Sequence, residues 1–241
     1  DPSVIEATVW DMFVDWLAAG IDPSKATLFV QSRVPQHAEL TLLLSFFTPL
    51  AWLERVPSYK DAVDKHAEHG RDLTTYGFLG YPLMQAADIL IYRANRVPVG
   101  EDQVSHVELT REIARRFNHL FGREKGFEGK AEAAVKKMGP KKAKLYRELR
   151  TRFQEKGDEA ALEQARDLVG DVQNLSLGDR ERLFGFIEGG GRMILTEPES
   201  LLTETPKLLG LDGQKMSKSY GNAILMRDAP DEVAKKVRTM P

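Results

Sequence analysis

The spacing of apolar residues changes character near Gly126, and that change limits the fold more than any other feature of the chain. Upstream, short apolar runs bounded by turn residues alternate with segments of helical period. Ile5, Val9, Met12, Phe13, Trp16 and Leu17 recur at spacings of three and four, one face of a helix. Ser3-Val4-Ile5-Glu6 reads as its capping box and Gly20 as its stop. Ala26–Gln31, with Leu28, Phe29 and Val30, predicts a short buried strand. Pro35 suits the first position of an apolar helix running to about Phe47, and Asp61–His69 reads as a solvated helix. Pro82 opens a helix over Leu83–Arg93. Val97-Pro98-Val99 is a brief strand, and Gly100 turns the chain into a helix over Asp102–Phe121.

Downstream, from 126 to 189, helix formers and charges dominate. Breaks are expected at Gly139-Pro140, Gly157-Asp158, Gly170-Asp171 and Gly178-Asp179. Gly189-Gly190-Gly191 reads as a flexible joint, and Met193–Leu195 as strand-like. Strands separated by helices predict an α/β fold, a Rossmann-like parallel sheet flanked by helices and carrying an all-helical insertion. The expected organisation is a partial catalytic domain over 1–125, a charged helical insertion over 126–189, and a continuation of the catalytic domain over 190–241.

Composition removes several classes. No stretch approaches the ~20 uncharged apolar residues that a spanning helix requires, so no membrane role is expected. The longest apolar region, Leu40–Leu53, is broken by Ser45, Thr48 and Pro49. The absence of cysteine excludes a disulfide scaffold and a Cys-ligated metal within these residues, and fits the cytoplasm. The chain starts at Asp1 rather than Met and stops at Pro241 without a cap, so both ends read as cuts in a longer protein.

Lys215-Met216-Ser217-Lys218-Ser219, preceded by Gly210-Leu211-Asp212-Gly213-Gln214, carries the sharpest chemistry. Two lysines three apart in a polar, Gly-flanked loop can wrap a polyphosphate, with hydroxyls and backbone N–H groups as further donors. On composition alone a solvated basic loop explains it as well. His66 and His69 have a metal-compatible spacing, but Lys65, Glu68 and Arg71 among them favour a solvated helix. Residues 136–152 hold eight basic residues against one acid, Glu148, a stretch that suits tRNA phosphates or a soluble surface. Trp10, Trp16 and Trp52 stand on apolar faces and read as core.

The five-residue string resembles the second signature of class I aminoacyl-tRNA synthetases. Gly80-Tyr81-Pro82-Leu83-Met84-Gln85-Ala86-Ala87-Asp88-Ile89-Leu90, then Val97-Pro98-Val99-Gly100-Glu101-Asp102-Gln103 and His106-Val107-Glu108-Leu109-Thr110-Arg111, closely resemble the bacterial tryptophanyl-tRNA synthetase family. Leu28-Phe29-Val30-Gln31-Ser32, with Val34-Pro35, His37 and Glu39-Leu40, extends the likeness, which covers 1–122 and about 192–241.

The resemblance implies an ATP-dependent ligase that joins tryptophan to tRNA(Trp), with Mg²⁺ accompanying the ATP, in a cytoplasmic homodimer. Asp88 would read the indole N–H, an acceptor-only group facing the one polar donor of that ring. It would reject a side chain lacking the donor more strongly than packing can. Tyr81 and Gln103 would take the α-ammonium, and Val97 and Val99 would wall the pocket. Gly100 and Asp102 would lie near the ATP ribose and adenylate. Lys215, Met216, Ser217 and Lys218 would hold the ATP phosphates, with Lys215, Lys218 and Ser217 as the catalytic groups.

Asp102 also suits a helix N-cap. His106 fits a satisfied helix histidine better than a pocket residue. Two departures stand out. Gln85 replaces an apolar Met common among relatives and either contacts the indole or bonds Asp88 from i−3. The family's first signature, a His-Ile-Gly-His-type motif, is absent from these residues, as are the C-terminal anticodon-reading helices. The competing expectations are a non-catalytic dimerising module that binds tryptophan, and a tyrosine-specific class I relative.

Overall fold

The structure is a computed structural model describing residues 4–57, 59, 74–202, 209–214, 216 and 221–240. In chain order its elements are α1 (Ile5–Ala18), α2 (Gln36–Ser45), α3 (Leu50–Glu54), α4 (Tyr76–Leu79), α5 (Tyr81–Leu90), β1 (Arg96–Pro98), α6 (Val104–Phe121), α7 (Phe127–Lys137), α8 (Pro140–Lys156), α9 (Glu159–Gly170), α10 (Leu177–Ile187), β2 (Glu199–Leu201) and α11 (Pro230–Thr239). Short 3-10 turns occupy Gln31–Arg33 and Glu101–Gln103. The chain divides into two compact units. One comprises 38–97 with 102–201, the other the described residues of 1–37, 98–101 and 202–241.

The larger unit contains two apolar clusters. The first gathers Leu44, Leu53, Leu83, Ala86, Ala87, Leu90, Ile113 and Ala114 from α2, α3, α5 and α6. Burying each large side chain contributes about 1.5–3 kcal/mol. The second is built from α7 to α10 and the turn between α9 and α10, with Val135, Tyr146, Leu149, Leu162, Val169, Leu183 and Ile187 at its centre. The Tyr146 hydroxyl, fully buried, donates to the Leu183 carbonyl at 2.6 Å. Burial pushes the Tyr146 phenol far above its ordinary range.

The expected glycine breaks hold at three places. Gly139 and Gly157 take positive φ (81° and 64°), a region open to a residue without Cβ. Asp158 caps α9 by accepting from the Ala161 N–H at 3.1 Å. The chain also leaves helix at Gly170-Asp171. Gly178-Asp179 is not a break. It lies in the first turn of α10, where Ser176 and Asp179 form a reciprocal capping box.

Three further expectations differ from the structure. Residues 27–30, expected within a strand, form no regular element. Met193–Leu195 is not a strand either. The Asn118 side chain takes the ladder's place: its Oδ1 accepts from the Ile194 and Leu195 N–H groups at 2.9 Å, and its Nδ2 donates to the Leu195 carbonyl at 2.8 Å. The strand after the glycines is β2, paired with β1 in a two-stranded sheet. The glycine triplet, expected as a flexible joint, is a close crossing: the Arg192 N–H bonds the Gly122 carbonyl at 2.8 Å. A Cβ on Gly185 would fall 1.6 Å from the Gly191 oxygen. Ser3, proposed as the first cap, and the Asp61–His69 segment with His66 and His69 lie outside the described residues.

In the smaller unit α1 ends where Gly20 takes φ 97°. The Arg227 guanidinium ties α1 to the turn before α11, bonding Asp15 Oδ1 at 2.7 Å and Asp11 Oδ1 at 2.6 Å. Trp10 and Trp16 are exposed rather than core, at 65% and 37%. Trp52 alone of the three packs against a core cluster.

Candidate active site

The polar candidates of the larger unit meet on one stripe of α5 and the start of α6. Pro82 sits in the first turn of α5, where a missing N–H costs nothing. Pro82, Leu83, Ala86, Ala87, Ile89 and Leu90 are buried. That packing fixes the helix's rotation and leaves Tyr81, Gln85 and Asp88, spaced four and three apart, on the opposite stripe. Tyr81 is exposed, while Gln85 and Asp88 are half-buried. Asp88 therefore lies on the half-buried face of α5 that also carries Gln85.

Gln103 ends the 3-10 turn at the start of α6 and reaches back to this stripe. Gln85 Nε2 donates to Gln103 Oε1 at 3.3 Å, and Gln103 Nε2 donates to Asp102 Oδ2 at 3.1 Å. His106, one turn into α6 and 2% exposed, has Nδ1 2.6 Å from Gln85 Oε1. The Tyr81 ring meets the His106 ring edge-on with centroids 6.0 Å apart. Burial lowers the His106 pKa, against the pull of the Asp102 carboxylate. Gln85 thus engages α6. Asp102 is not the N-cap of α6: that position is Gln103, without a side-chain cap bond.

His106 is the satisfied helix histidine expected, and its link to Gln85 is what the sequence did not show. Its spacing of three from Gln103 was the available signal. Val97 lies in β1 and is half-buried, as are Val99 and Gly100 just beyond it in the smaller unit.

The Gly-flanked loop of the smaller unit has a built stem. Asp212 Oδ1 accepts from Asn222 Nδ2 at 2.8 Å and from the Gln214 N–H at 3.0 Å. Those hydrogen bonds, Asn222 first, hold the Asp212 carboxyl below its ordinary pKa. The Leu211 N–H bonds the Asn222 carbonyl at 2.9 Å. A Cβ on Gly210 would sit 2.5 Å from Asn222 Cγ, so glycine is required there by contact. Met216 is half-buried. Lys215, Ser217 and Lys218 lie outside the described residues. Asn222, 4% exposed, is a structural residue that sequence reasoning missed.

Four of the eight basic residues of 136–152 are ion-paired, Lys144 with Glu148 among them. Lys137 pairs with Asp179 at 2.8 Å, Arg147 with Glu132 at 3.0 Å, and Arg152 with Asp158 at 2.6 Å. Arg150 donates to the Phe186 carbonyl and lies over that ring, 4.0 Å from its centroid. Lys136 and Lys141 are exposed. Among the described residues no group of three or more His, Asp or Glu could hold a metal ion, and no helix is long and apolar enough to cross a membrane.

Residues 2–144 and 158–240 match the family model described as tRNA synthetases class I (W and Y). The chain is 68% identical over 240 residues to a tryptophan–tRNA ligase of Ralstonia nicotianae, covering all of this chain and 60% of that protein. It is 38% identical to the tryptophan–tRNA ligase of Thermotoga maritima, of which it covers 51%. Among solved structures, a Campylobacter jejuni tryptophanyl-tRNA synthetase complexed with ADP and tryptophan aligns with a TM-score of 0.55 and 27% identity, over 94% of this chain and 48% of that one. The Mycoplasma pneumoniae tryptophanyl-tRNA synthetase shares the fold at a TM-score of 0.63 and 24% identity, over all of this chain and 52% of that one. The chain thus spans half to three-fifths of the length of these relatives.

Proposed function

The chain belongs to the class I tRNA synthetases of the tryptophan and tyrosine type, with the Rossmann-like fold of that family, and on that premise we propose that it is part of a tryptophan–tRNA ligase. The observation that carries the choice of tryptophan is the 68% identity, along the whole chain, to a protein of that name. The reaction has two steps. The tryptophan carboxylate attacks the α-phosphorus of ATP and pyrophosphate leaves. A ribose hydroxyl at the tRNA terminus then attacks the activated carbonyl and AMP leaves.

Asp88 accepts the indole N–H in this reading, supported by its place on the same stripe as Tyr81 and Gln85. Tyr81 and Gln103 orient the α-ammonium. Both are neutral groups with acceptor oxygens, suited to an amine without a competing charge. Val97 and Val99 line the apolar wall. Gly100 and Asp102 serve the ATP ribose, and the exposed Asp102 carboxylate offers acceptors for its hydroxyls. Lys215 and Lys218, with Ser217, neutralise charge building on the departing pyrophosphate, where positioning and electrostatics supply most of the acceleration. Mg²⁺ arrives with the triphosphate as part of the substrate. The described residues offer no cluster to cage it, and no step is assigned to it.

A second copy of the chain is the partner we assign to the α2 face. Leu42, Leu43, Phe46 and Leu50 are 56–74% exposed there, an apolar patch suited to an interface. The tRNA is the other partner, and the cytoplasm the place of the reaction.

Tryptophan-dependent exchange of pyrophosphate into ATP by the full-length protein tests the reading. Exchange supported by tryptophan and not by tyrosine is expected. Exchange driven by tyrosine would move the chain to the other branch of the family.

A further inference from the structure

Four side chains on α5, the 3-10 turn and α6 form an unbroken hydrogen-bonded row, His106 to Gln85 to Gln103 to Asp102. Its direction is dictated from one end. A carboxylate only accepts, so Gln103 turns its NH₂ to Asp102 and its carbonyl oxygen toward Gln85. Gln85 must then present its own NH₂ to Gln103 and its oxygen to His106, which places the imidazole proton on Nδ1. Reversing Gln85 alone sets two amide oxygens against each other. Reversing both amides sets the Gln103 oxygen against the Asp102 carboxylate. The row therefore has one satisfied arrangement, and the far end of it is buried.

We infer that His106 and Gln85 are positioning residues that pole the Gln103 amide, fixing the direction of its carbonyl oxygen and thereby the affinity for the α-ammonium of the amino acid. The inference rests on the reading of Gln103 as an ammonium-binding residue. An amide free to rotate by 180° would present NH₂ and oxygen to a cation about equally often. Held by Gln85 on one side and Asp102 on the other, it presents the oxygen every time. The carbonyl has two lone pairs, so accepting from Gln85 leaves one for the ammonium. Asp102 anchors the row and also stands in the segment assigned to the nucleotide, so the same row links the two substrates.

The test uses calorimetry of the full-length protein with two ligands, tryptophan and indole-3-propionate, which keeps the ring and carboxylate but lacks the amine. Gln85→Met fills the space without hydrogen bonds. It should weaken tryptophan about 5- to 10-fold, the effect of one neutral hydrogen bond. Gln85→Glu accepts from His106 but cannot donate to Gln103, and sets a carboxylate against its oxygen. It should weaken tryptophan more, by about 30-fold. His106→Phe, which removes only the distal donor, should cost about 3-fold. Indole-3-propionate should bind all three variants as it binds the wild type.

Equal loss of both ligands would mean that Gln85 and His106 act only on packing and would overturn the inference. Wild-type tryptophan affinity in Gln85→Met and Gln85→Glu would do the same. A wild type that binds indole-3-propionate and tryptophan equally would instead overturn the assignment of Gln103 to the ammonium, and the inference with it.

Discussion

Two regions of the larger unit pair their polar side chains in different settings. In the helices of 127–187 and their flanks, polar side chains are answered by one another. Glu124 receives Arg182 at 2.7 Å and Lys130 at 2.8 Å, Arg166 reaches Glu188 at 2.8 Å, and Tyr146 closes onto a backbone carbonyl. In α5 and α6 one stripe is apolar and sealed, while the other carries Tyr81, Gln85, Asp88 and Gln103 with exposed or half-buried polar atoms. The first region is finished as folded. The second also pairs its polar groups, His106 to Gln85 to Gln103 to Asp102, but it does so beside Tyr81 and Asp102, which stay exposed where a ligand can reach them. Stability and recognition should therefore separate under mutation.

The largest expected effect is on recognition. Asp88→Ala should lower kcat/KM for tryptophan in pyrophosphate exchange by at least about 100-fold and leave phenylalanine, which has no N–H to satisfy, nearly unchanged. The melting temperature should stay within a degree or two, since Asp88 is only half-buried. A large fall in melting temperature with selectivity intact would erase the distinction between the two regions.

The contrast also explains what could be read from the chain. Helix ends in 127–187 are legible because their determinants are local: Gly139 before Pro140, Gly157 before Asp158, each acting within one turn. Gly178-Asp179 misleads because Asp179 belongs to a cap centred on Ser176, and a Gly-Asp pair looks alike at either end of a helix. Residues 193–195 mislead because a strand depends on more than its own sequence. β-propensity says that a segment suits a sheet, but a strand exists only where a partner strand pairs with it. Asn118 takes the partner strand's place for Ile194 and Leu195. In the candidate site, residue identities were legible from family motifs, whereas the row through His106 was not. It needs Gln85 and Gln103, eighteen residues apart, to converge across α5 and α6.

The second test lies where the regions touch. Glu181 of α10, 3% exposed, bonds Arg93 just beyond α5 at 2.8 Å and also bonds Arg192. Arg93 has φ 51°, a left-handed conformation uncommon for a residue with Cβ. Glu181→Gln keeps the shape and leaves two guanidinium groups facing a neutral amide. Breaking a fully buried pair costs about 3–5 kcal/mol; with both arginines about one-third exposed, about 2 kcal/mol is expected. For a chain of this size that lowers Tm by about 4–8 °C. Tryptophan affinity should fall by less than about threefold, because no group of the recognition stripe is touched. A loss above tenfold would show that the helical region holds the pocket in shape.

Acid should produce the smallest effect, and it should reach the two regions in order. His106 has its folded pKa lowered below the ordinary 6.5 by burial, so the unfolded chain binds its proton first. Its stabilising contribution is complete above about pH 6.5 and is lost as pH falls through the folded value. Glu124 is depressed from 4.5 to about 2, chiefly by hydrogen bonds from Arg182 and Lys130, and its contribution is complete above about pH 4.5 and is lost toward pH 2. Asp158 is also lowered, by hydrogen bonds from Arg152 and the Ala161 N–H. Asp179 is lowered although its burial opposes the charge, because bonds from Lys137 and Ser176 outweigh it. One titrating group changes stability by at most about 1.4 kcal/mol per pH unit, so the first step is shallow. Amide exchange followed from pH 7.5 to 4 should show α6 amides around His106 losing protection as pH falls below about 6.5, with α8 and α10 unchanged until below about pH 4.5. Simultaneous loss in both regions would mean that they unfold as one unit and that the division between finished scaffold and recognition stripe has no energetic boundary.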